Sequence, residues 1–368
     1  MEYVQERVTT LHDLSGRVPD APTDRTSVVV PLTDREYGSR TAERVFAALE
    51  TVAPNRVVVP LRAPAESVGR IHDWLSSFDL SLTLLWCSNP RVETLLDEHG
   101  LAGSAGKGRD VWLALGVAAA DSAFVVCHDA DTETYDPSIV PRLLAPLDTG
   151  FSFTKGYYAR VEENRLYGRL FRLFYAPLVR TLLGANDGEV LDYLGAFRYA
   201  LAGEFGMTAD LATGMRVERD WGLEVGTLGS AFEHAGLEGS AQVDLGRYEH
   251  AHRGVAGPGG LSTMSEGVGN ALFRVCENHG VAPEYDTLPA RYRDTGREFV
   301  RQYAADAAFN GLEYDPVAER EQVDTYADAI RPPERSGGSE VLPAWDDVAI
   351  SPADVLDAAR AELSGQRH

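Results

Sequence analysis

The chain has 368 residues, 44% of them hydrophobic, which is long enough to bury one substantial core; its three cysteines, at unrelated spacings, form neither a disulfide framework nor a zinc ligand set. With 56 acidic against 34 basic residues the formal charge is −22, which argues against nucleic acid as a partner because a phosphate backbone demands a basic face. No run approaches the roughly 18–20 apolar residues that span a bilayer, and the N-terminal MEYVQERVTT lacks a signal layout, so the expectation is a cytoplasmic protein without a membrane span.

Residues 1–24 are polar and contain prolines, the pattern of a loosely attached arm. TSVVVPL (26–32) is a β-branched run ending at Pro31, as in a buried parallel strand. Ala42, Val45, Phe46 and Leu49 then form one apolar helical face. NRVVVPL (55–61) repeats the strand pattern, Val68, Ile71, Trp74 and Leu75 mark a second amphipathic helix, and LSLTLLWCS (80–88) is a third strand. RVETLLDEHG reads as a helix stopped by Gly100. After GSAGKG come a helix over 108–120 and the strand SAFVVCHDAD. Alternating strands and helices predict an α/β fold with a parallel sheet covered on both faces, which binds ligands at the carboxyl ends of its strands. Further on, VPRLLAPL is a helix, GFSFTKGYYAR a strand, and 165–183 a strong helix carrying Arg165, Arg169 and Arg172 on one face. A glycine-rich stretch follows residue 256, then helices, a linker near 331–345 and a last short helix over 351–364.

The strand VVCHDADTET breaks at its carboxyl end into Asp129 and Asp131. On an extended chain residues two apart point the same way, so both carboxylates reach one divalent cation bridging a diphosphate. A metal also answers the cost of desolvating them. His128 faces the opposite way and is read as structural, and Cys127 as packing. Only two of the 34 cations are lysines, Lys107 and Lys155. Dispersed carboxylates with so little lysine look like proteins of salt-loving, halophilic organisms; drift towards arginine in a GC-rich genome gives the same pattern. Either way a lysine that survives is a functional candidate. Lys107 in AGKGRD is no P-loop lysine, since the glycine spacing and the Ser/Thr are missing, but a lysine at a helix N-terminus suits phosphate. The arginines at 165, 169 and 172 either pair with Glu162 and Glu163 or form an anion pocket.

The ordered motifs VVVPL with Glu36, GKG, D-A-D, FTKGYYAR, YGRLFRL, ALAGEFGM, WGLEVGTL and DLGRYEHAHR resemble glucosyl-3-phosphoglycerate synthases over roughly residues 26–275. Mannosyl-3-phosphoglycerate synthases are close relatives of that family. The resemblance implies a GT-A (Rossmann-like) nucleotide-diphospho-sugar transferase domain over 25–255 and a mostly helical extension over 256–368. It implies a retaining transfer of a hexose from UDP-glucose or GDP-mannose to a small acidic acceptor such as 3-phosphoglycerate, assisted by Mg²⁺ or Mn²⁺. Asp129, Asp131 and His252 would hold the metal, with His250 a rival for His252. Pro31, Leu32, Thr33, Glu36, Lys107, Ala130 and Gly203 would line the donor pocket. Gly168 and Arg169 would hold the acceptor. No protein nucleophile is implied: the carbonyl of Leu201 and the carboxylate of Glu224 would orient the sugar, with Glu204 or Glu224 as nucleophile the alternative. Three departures stand out: PLRAP where the family shows DSGS, Phe171 where it shows threonine, and Gly254 where it shows asparagine. The last two fall on the acceptor side. Competing readings are a nucleotidyltransferase, for which PLTDREYGSR lacks the glycine cluster, and a non-catalytic nucleotide-sugar binder. The C-terminal helices are read as closing the site or forming a homodimer.

Overall fold

A computed structural model describes residues 4–249, 260–333 and 340–365. A short strand, β1 (Thr9–Leu11), precedes β2 (Thr26–Val29) and β3 (Leu32–Thr33). Then come α1 (Arg40–Val52), β4 (Arg56–Arg62), α2 (Ala65–Leu75), β5 (Leu82–Trp86), α3 (Pro90–Glu98), α4 (Lys107–Ala119) and β6 (Phe124–Cys127). The middle of the chain holds α5 (Ile139–Asp148), β7 (Phe153–Ala159), the hairpin β8 (Val161–Glu162) and β9 (Arg165–Leu166), a π-helical turn Leu170–Tyr175, α6 (Ala176–Leu183) and α7 (Glu189–Ala196). The rest is β10 (Phe205–Thr208), α8 (Ala209–Gly214), β11 (Val217–Glu218), α9 (Leu223–His234), β12 (Ser240–Arg247), α10 (Leu261–Asn278), α11 (Leu288–Asn310), α12 (Pro316–Tyr326), β13 (Val341–Leu342) and α13 (Pro352–Gly365).

The main sheet runs β1, β12, β7, β10, β6, β2, β4, with β3 and β5 both on β4. It is parallel throughout except for β10, which runs antiparallel to β6 and β7. Every residue of β2 and β6 is buried, as the unbroken valine runs require of strands covered on both faces. Alternation splits them: Val28, Val57, Val59 and Val126 pack under α1, α2 and α5, whereas Val29, Val58, Val125 and Cys127 face α4. Helix α4 is buried from Gly108 to Ala118, because C-terminal segments cover its outer side. There Trp112 stacks on Trp345, centroids 4.3 Å apart, over the bare Cα of Gly116.

Two expectations need correction. The N-terminal arm is not loose: Thr9, Thr10 and Leu11 pair in parallel with Ala241, Gln242 and Val243, and the Gln242 amide donates to Thr10 Oγ1. The helix expected over 165–183 begins only at Leu170, and its first turn is π-helical. Arg165 therefore sits on β9 rather than on a face shared with Arg169 and Arg172, and it pairs with Glu313 instead of Glu162 or Glu163. The C-terminal helices pack on the same core: α10 on α9, α11 on α6, α13 on α3 and α4, and β13 pairs with β11.

Candidate active site

The carboxyl ends of β2, β4 and β6 open on a cavity of about 400 Å³. The strand β6 stops where polar side chains take over. The His128 N–H still donates to Val29 O across the ladder, and Asp129, Ala130 and Asp131 then line the cavity. Asp129 Oδ1 accepts from Lys107 Nζ at 2.6 Å, and Glu224 Oε1 lies 3.5 Å from the same nitrogen.

Lys107 is the first residue of α4, and the glycines around it place it there. A Cβ on Gly108 would overlap the Glu218 carbonyl oxygen, and one on Gly106 the Arg219 carbonyl oxygen. Only bare backbone lets this helix end dock on residues 218–220, where Arg109 N–H donates to Arg219 O at 3.0 Å. The GKG signal is thus a close approach of two backbones that delivers one ammonium. Burial alone would depress that ammonium; Asp129 and Glu224 outweigh it and hold the charge well above lysine's usual range.

Gly203 has the same logic on the opposite wall. A Cβ there would stand 2.6 Å from Asp129 Oδ2, so the glycine keeps room beside the carboxylate. Behind it Glu204 is fully buried and outside the cavity lining; Tyr248 donates to its Oε1 at 3.0 Å. Burial and the neighbouring Asp129 push the Glu204 carboxyl up to about 7, against hydrogen bonds from Tyr158 and Tyr248. Lys155, also fully buried, lies over the Phe205 ring with Nζ 5.4 Å from its centroid and no hydrogen-bond partner among the described residues. Burial brings it down to about 8 although Glu224 and Glu204 pull upwards. His128 takes no part: it is buried, bonded to the Tyr135 hydroxyl and the Asp129 carbonyl, and burial lowers it to about 4.

On the far side Pro31, Leu32, Thr33 and Glu36 line the cavity. Glu36 Oε2 accepts from the Thr33 amide at 2.8 Å and its hydroxyl at 2.6 Å, which fixes the loop after β3. Leu201 and Glu224 complete the lining between the two halves. Among the residues expected to bind the acceptor, Gly168 and Arg169 stand beside the cavity rather than in its lining, which their neighbour Leu170 reaches. Arg169 Nε donates to Glu319 at 3.0 Å, and the buried Arg172 bonds the same carboxylate and two backbone carbonyls. Phe171 packs on the Tyr199 ring, centroids 4.8 Å apart.

Several lining residues escaped the sequence reading. Arg62 sits in the divergent PLRAP, 3.5 Å from Asp110 Oδ2. Tyr158 and Arg160 close the FTKGYYAR segment, Tyr199 directly precedes ALAGEFGM, and Trp221 opens WGLEVGTL. The signal was their place inside motif-bearing segments; nothing local said which would turn inwards.

His250, His252 and Gly254 lie outside the described residues. Among those described, no cluster of three or more His, Cys, Asp or Glu is placed to hold a metal ion. The two carboxylates present, hard oxygen donors with open space beside Asp129, suit a divalent cation shared with a diphosphate. No helix among the described residues is long and apolar enough to cross a membrane.

No family model matches the chain. It is 34% identical over 382 residues to the glucosyl-3-phosphoglycerate synthase of Methanococcoides burtonii, covering 97% of this chain and 92% of that one. It is 35% identical over 326 residues to the Persephonella marina protein of the same name, covering 82% and 80%. Among solved structures, the Mycobacterium tuberculosis glucosyl-3-phosphoglycerate synthase with Mg²⁺ and UDP superposes with a TM-score of 0.56 at 24% identity, over 75% of this chain and 88% of that one. The same enzyme with Mn²⁺, UDP-glucose and phosphoglyceric acid gives 0.56, again over 75% of this chain and 89% of that one. Mannosyl-3-phosphoglycerate synthase of Rubrobacter xylanophilus gives 0.54 at 24% identity, over 70% and 76%. At these identities the structural likeness shows the fold, which is the GT-A arrangement.

Proposed function

The chain belongs to the glucosyl-3-phosphoglycerate synthase family and is a nucleotide-sugar glycosyltransferase, and from that premise we propose that it moves glucose from UDP-glucose to 3-phosphoglycerate with retention. The observation that carries the reading is the cluster of Lys107, Asp129 and Glu224 at one mouth of a parallel sheet, opposite Gly203. The Mycobacterium tuberculosis enzyme binds UDP-glucose and phosphoglyceric acid together, and both relatives at 34–35% identity carry the glucosyl name, which favours glucose over mannose.

Asp129 and Asp131 are the residues that would hold Mg²⁺ or Mn²⁺, with His252 the proposed third ligand. Such a cation supplies Lewis-acid neutralisation of the departing diphosphate. Lys107 adds a fixed positive charge at the start of α4, where the helix dipole also favours an anion. Pro31, Leu32, Thr33 and Glu36 take the nucleoside, and Ala130 and Gly203 leave space along the diphosphate. Glu224 and the Leu201 carbonyl face the sugar and steady positive charge at its anomeric carbon. The acceptor hydroxyl attacks from the face the diphosphate leaves, and a diphosphate oxygen takes its proton. Glu204 is itself outside the lining and bonded to Tyr158 and Tyr248, which supports Glu224 as the carboxylate that meets the sugar. Gly168 and Arg169 approach the acceptor from the adjoining turn.

Calorimetric titration of UDP with and without Mn²⁺, on the wild type and on Asp131→Ala, tests the donor half. The proposal expects UDP to bind at least tenfold more tightly with metal, and this gain to vanish in the variant. Equal UDP affinity in all four conditions would reject the metal assignment.

A further inference from the structure

The acceptor side of the cavity lacks the threonine that the family pattern leads one to expect. Phe171 stands there and spends its ring on Tyr199. A cation nonetheless faces the cavity at this end. Arg160 directly follows β7 and lines the cavity together with Tyr158, Tyr199 and Leu201. Its own carbonyl accepts from the Tyr167 N–H at 3.0 Å, which ties it to the turn that presents Gly168 and Arg169. The guanidinium is set by the buried Glu162, to whose Oε1 its Nη2 donates at 3.2 Å, and the Tyr199 ring stands close enough to act on its charge. The Tyr199 hydroxyl in turn lies 2.9 Å from where a Cβ on Gly168 would be. Arg160 Nε is buried without a hydrogen-bond partner among the described residues. The side chain is 23% exposed, so most of its cost of desolvation is already met while one edge still faces the cavity.

We infer that Arg160, held by Glu162 beside Tyr199, binds an anionic group of the acceptor and takes over the contact that Phe171 has removed. The inference rests on the reading of the acceptor as a small phosphorylated acid. A planar fork suits either a carboxylate or a phosphate, and Tyr199 places a hydroxyl beside it as threonine would. Arg169, tied through Nε to Glu319, then contributes a second cation from the adjoining turn.

The test is steady-state kinetics on the wild type, Arg160→Gln and Arg160→Lys, each with 3-phosphoglycerate, with glycerate, which lacks the phosphate, and with glycerol 3-phosphate, which lacks the carboxylate. Loss of one charge-assisted contact corresponds to about a tenfold to hundredfold rise in acceptor KM for Arg160→Gln, with donor KM within twofold. Arg160→Lys recovers part of the loss. The diagnostic result is selectivity: the preference for 3-phosphoglycerate over one of the two analogues collapses in Arg160→Gln, because the anion that analogue lacks is the one Arg160 holds. A merely structural arginine would change KM without changing the ratios among the three acceptors. Unchanged ratios, or an acceptor KM within twofold of the wild type, overturn the inference while leaving the glycosyltransfer to 3-phosphoglycerate intact. A wild type that shows no turnover of any of the three overturns both. Should Arg160→Gln fail to fold in a thermal melt, Arg160→Lys carries the same ratio test.

Discussion

Lys107→Met separates two effects that a loss of folding would merge. Lys107 Nζ lies 2.6 Å from Asp129 Oδ1, so a divalent cation must compete with an ammonium for that carboxylate. A charge-assisted hydrogen bond contributes about 1.5–3 kcal/mol, and because Lys107 is roughly a third exposed its share here is about 1–2 kcal/mol. Removing it should tighten Mn²⁺ binding to the nucleotide-free protein by about fivefold to thirtyfold. The same substitution deletes the cation that meets the diphosphate, and loss of one such electrostatic contact costs about a hundredfold in kcat/KM. Opposite signs are therefore expected: tighter metal, slower transfer. Calorimetry or Mn²⁺ relaxation reads the first and a coupled UDP-release assay the second. Weaker or unchanged Mn²⁺ affinity in a folded Lys107→Met protein would refute the idea that ammonium and metal compete for Asp129.

Gly203→Ala places a methyl group 2.6 Å from Asp129 Oδ2, so Mn²⁺-dependent UDP affinity should fall about tenfold or more with little change in melting temperature; unchanged affinity would show that Asp129 is not confined by that wall. Lys155 has a folded pKa near 8 against an ordinary 10.5, so below pH 8 it is protonated in both states and burying that charge costs ~3 kcal/mol. Between pH 8 and 10.5 the unfolded chain binds the extra proton, this cost shrinks, and stability from this residue rises with pH. Lys155→Met should thus unfold at higher urea than the wild type at pH 7, with the gap closing towards pH 10.5; a gap independent of pH would contradict the assignment. Glu319→Ala strips the buried carboxylate shared by Arg169 and Arg172 and should cost about 3–5 kcal/mol in urea unfolding.

The parallel sheet was legible because its signals are local. Valine runs closed by Pro31 or Pro60, amphipathic helices between them and aspartates at a strand end need no tertiary knowledge. The misread helix has an equally physical cause. Glu163 and Asn164 adopt left-handed backbone angles, φ 46° and 60°, and turn the chain into a hairpin, while Leu166, Leu170 and Leu173 happen to continue a helical spacing. Asn164 and Gly168 were the available breakers. The N-terminal strand was invisible because three residues carry no periodicity and its partner, β12, lies more than two hundred residues away. Within the site, Asp129, Asp131 and Lys107 could be found from charges placed where a core strand or a rare lysine makes them expensive or conspicuous. Arg160 and Arg62 could not, since arginine supplies nearly every cation in this chain and only the fold says which ones face the cavity.

The most direct measurement is the product itself. The wild-type protein, incubated with UDP-glucose, 3-phosphoglycerate and Mn²⁺, should form a hexosyl-phosphoglycerate by mass spectrometry, with the α-anomeric linkage of the donor preserved in its NMR coupling. Omission of metal, or Asp131→Ala, should abolish it. An inverted linkage, or the same yield after exhaustive chelation, would contradict the account.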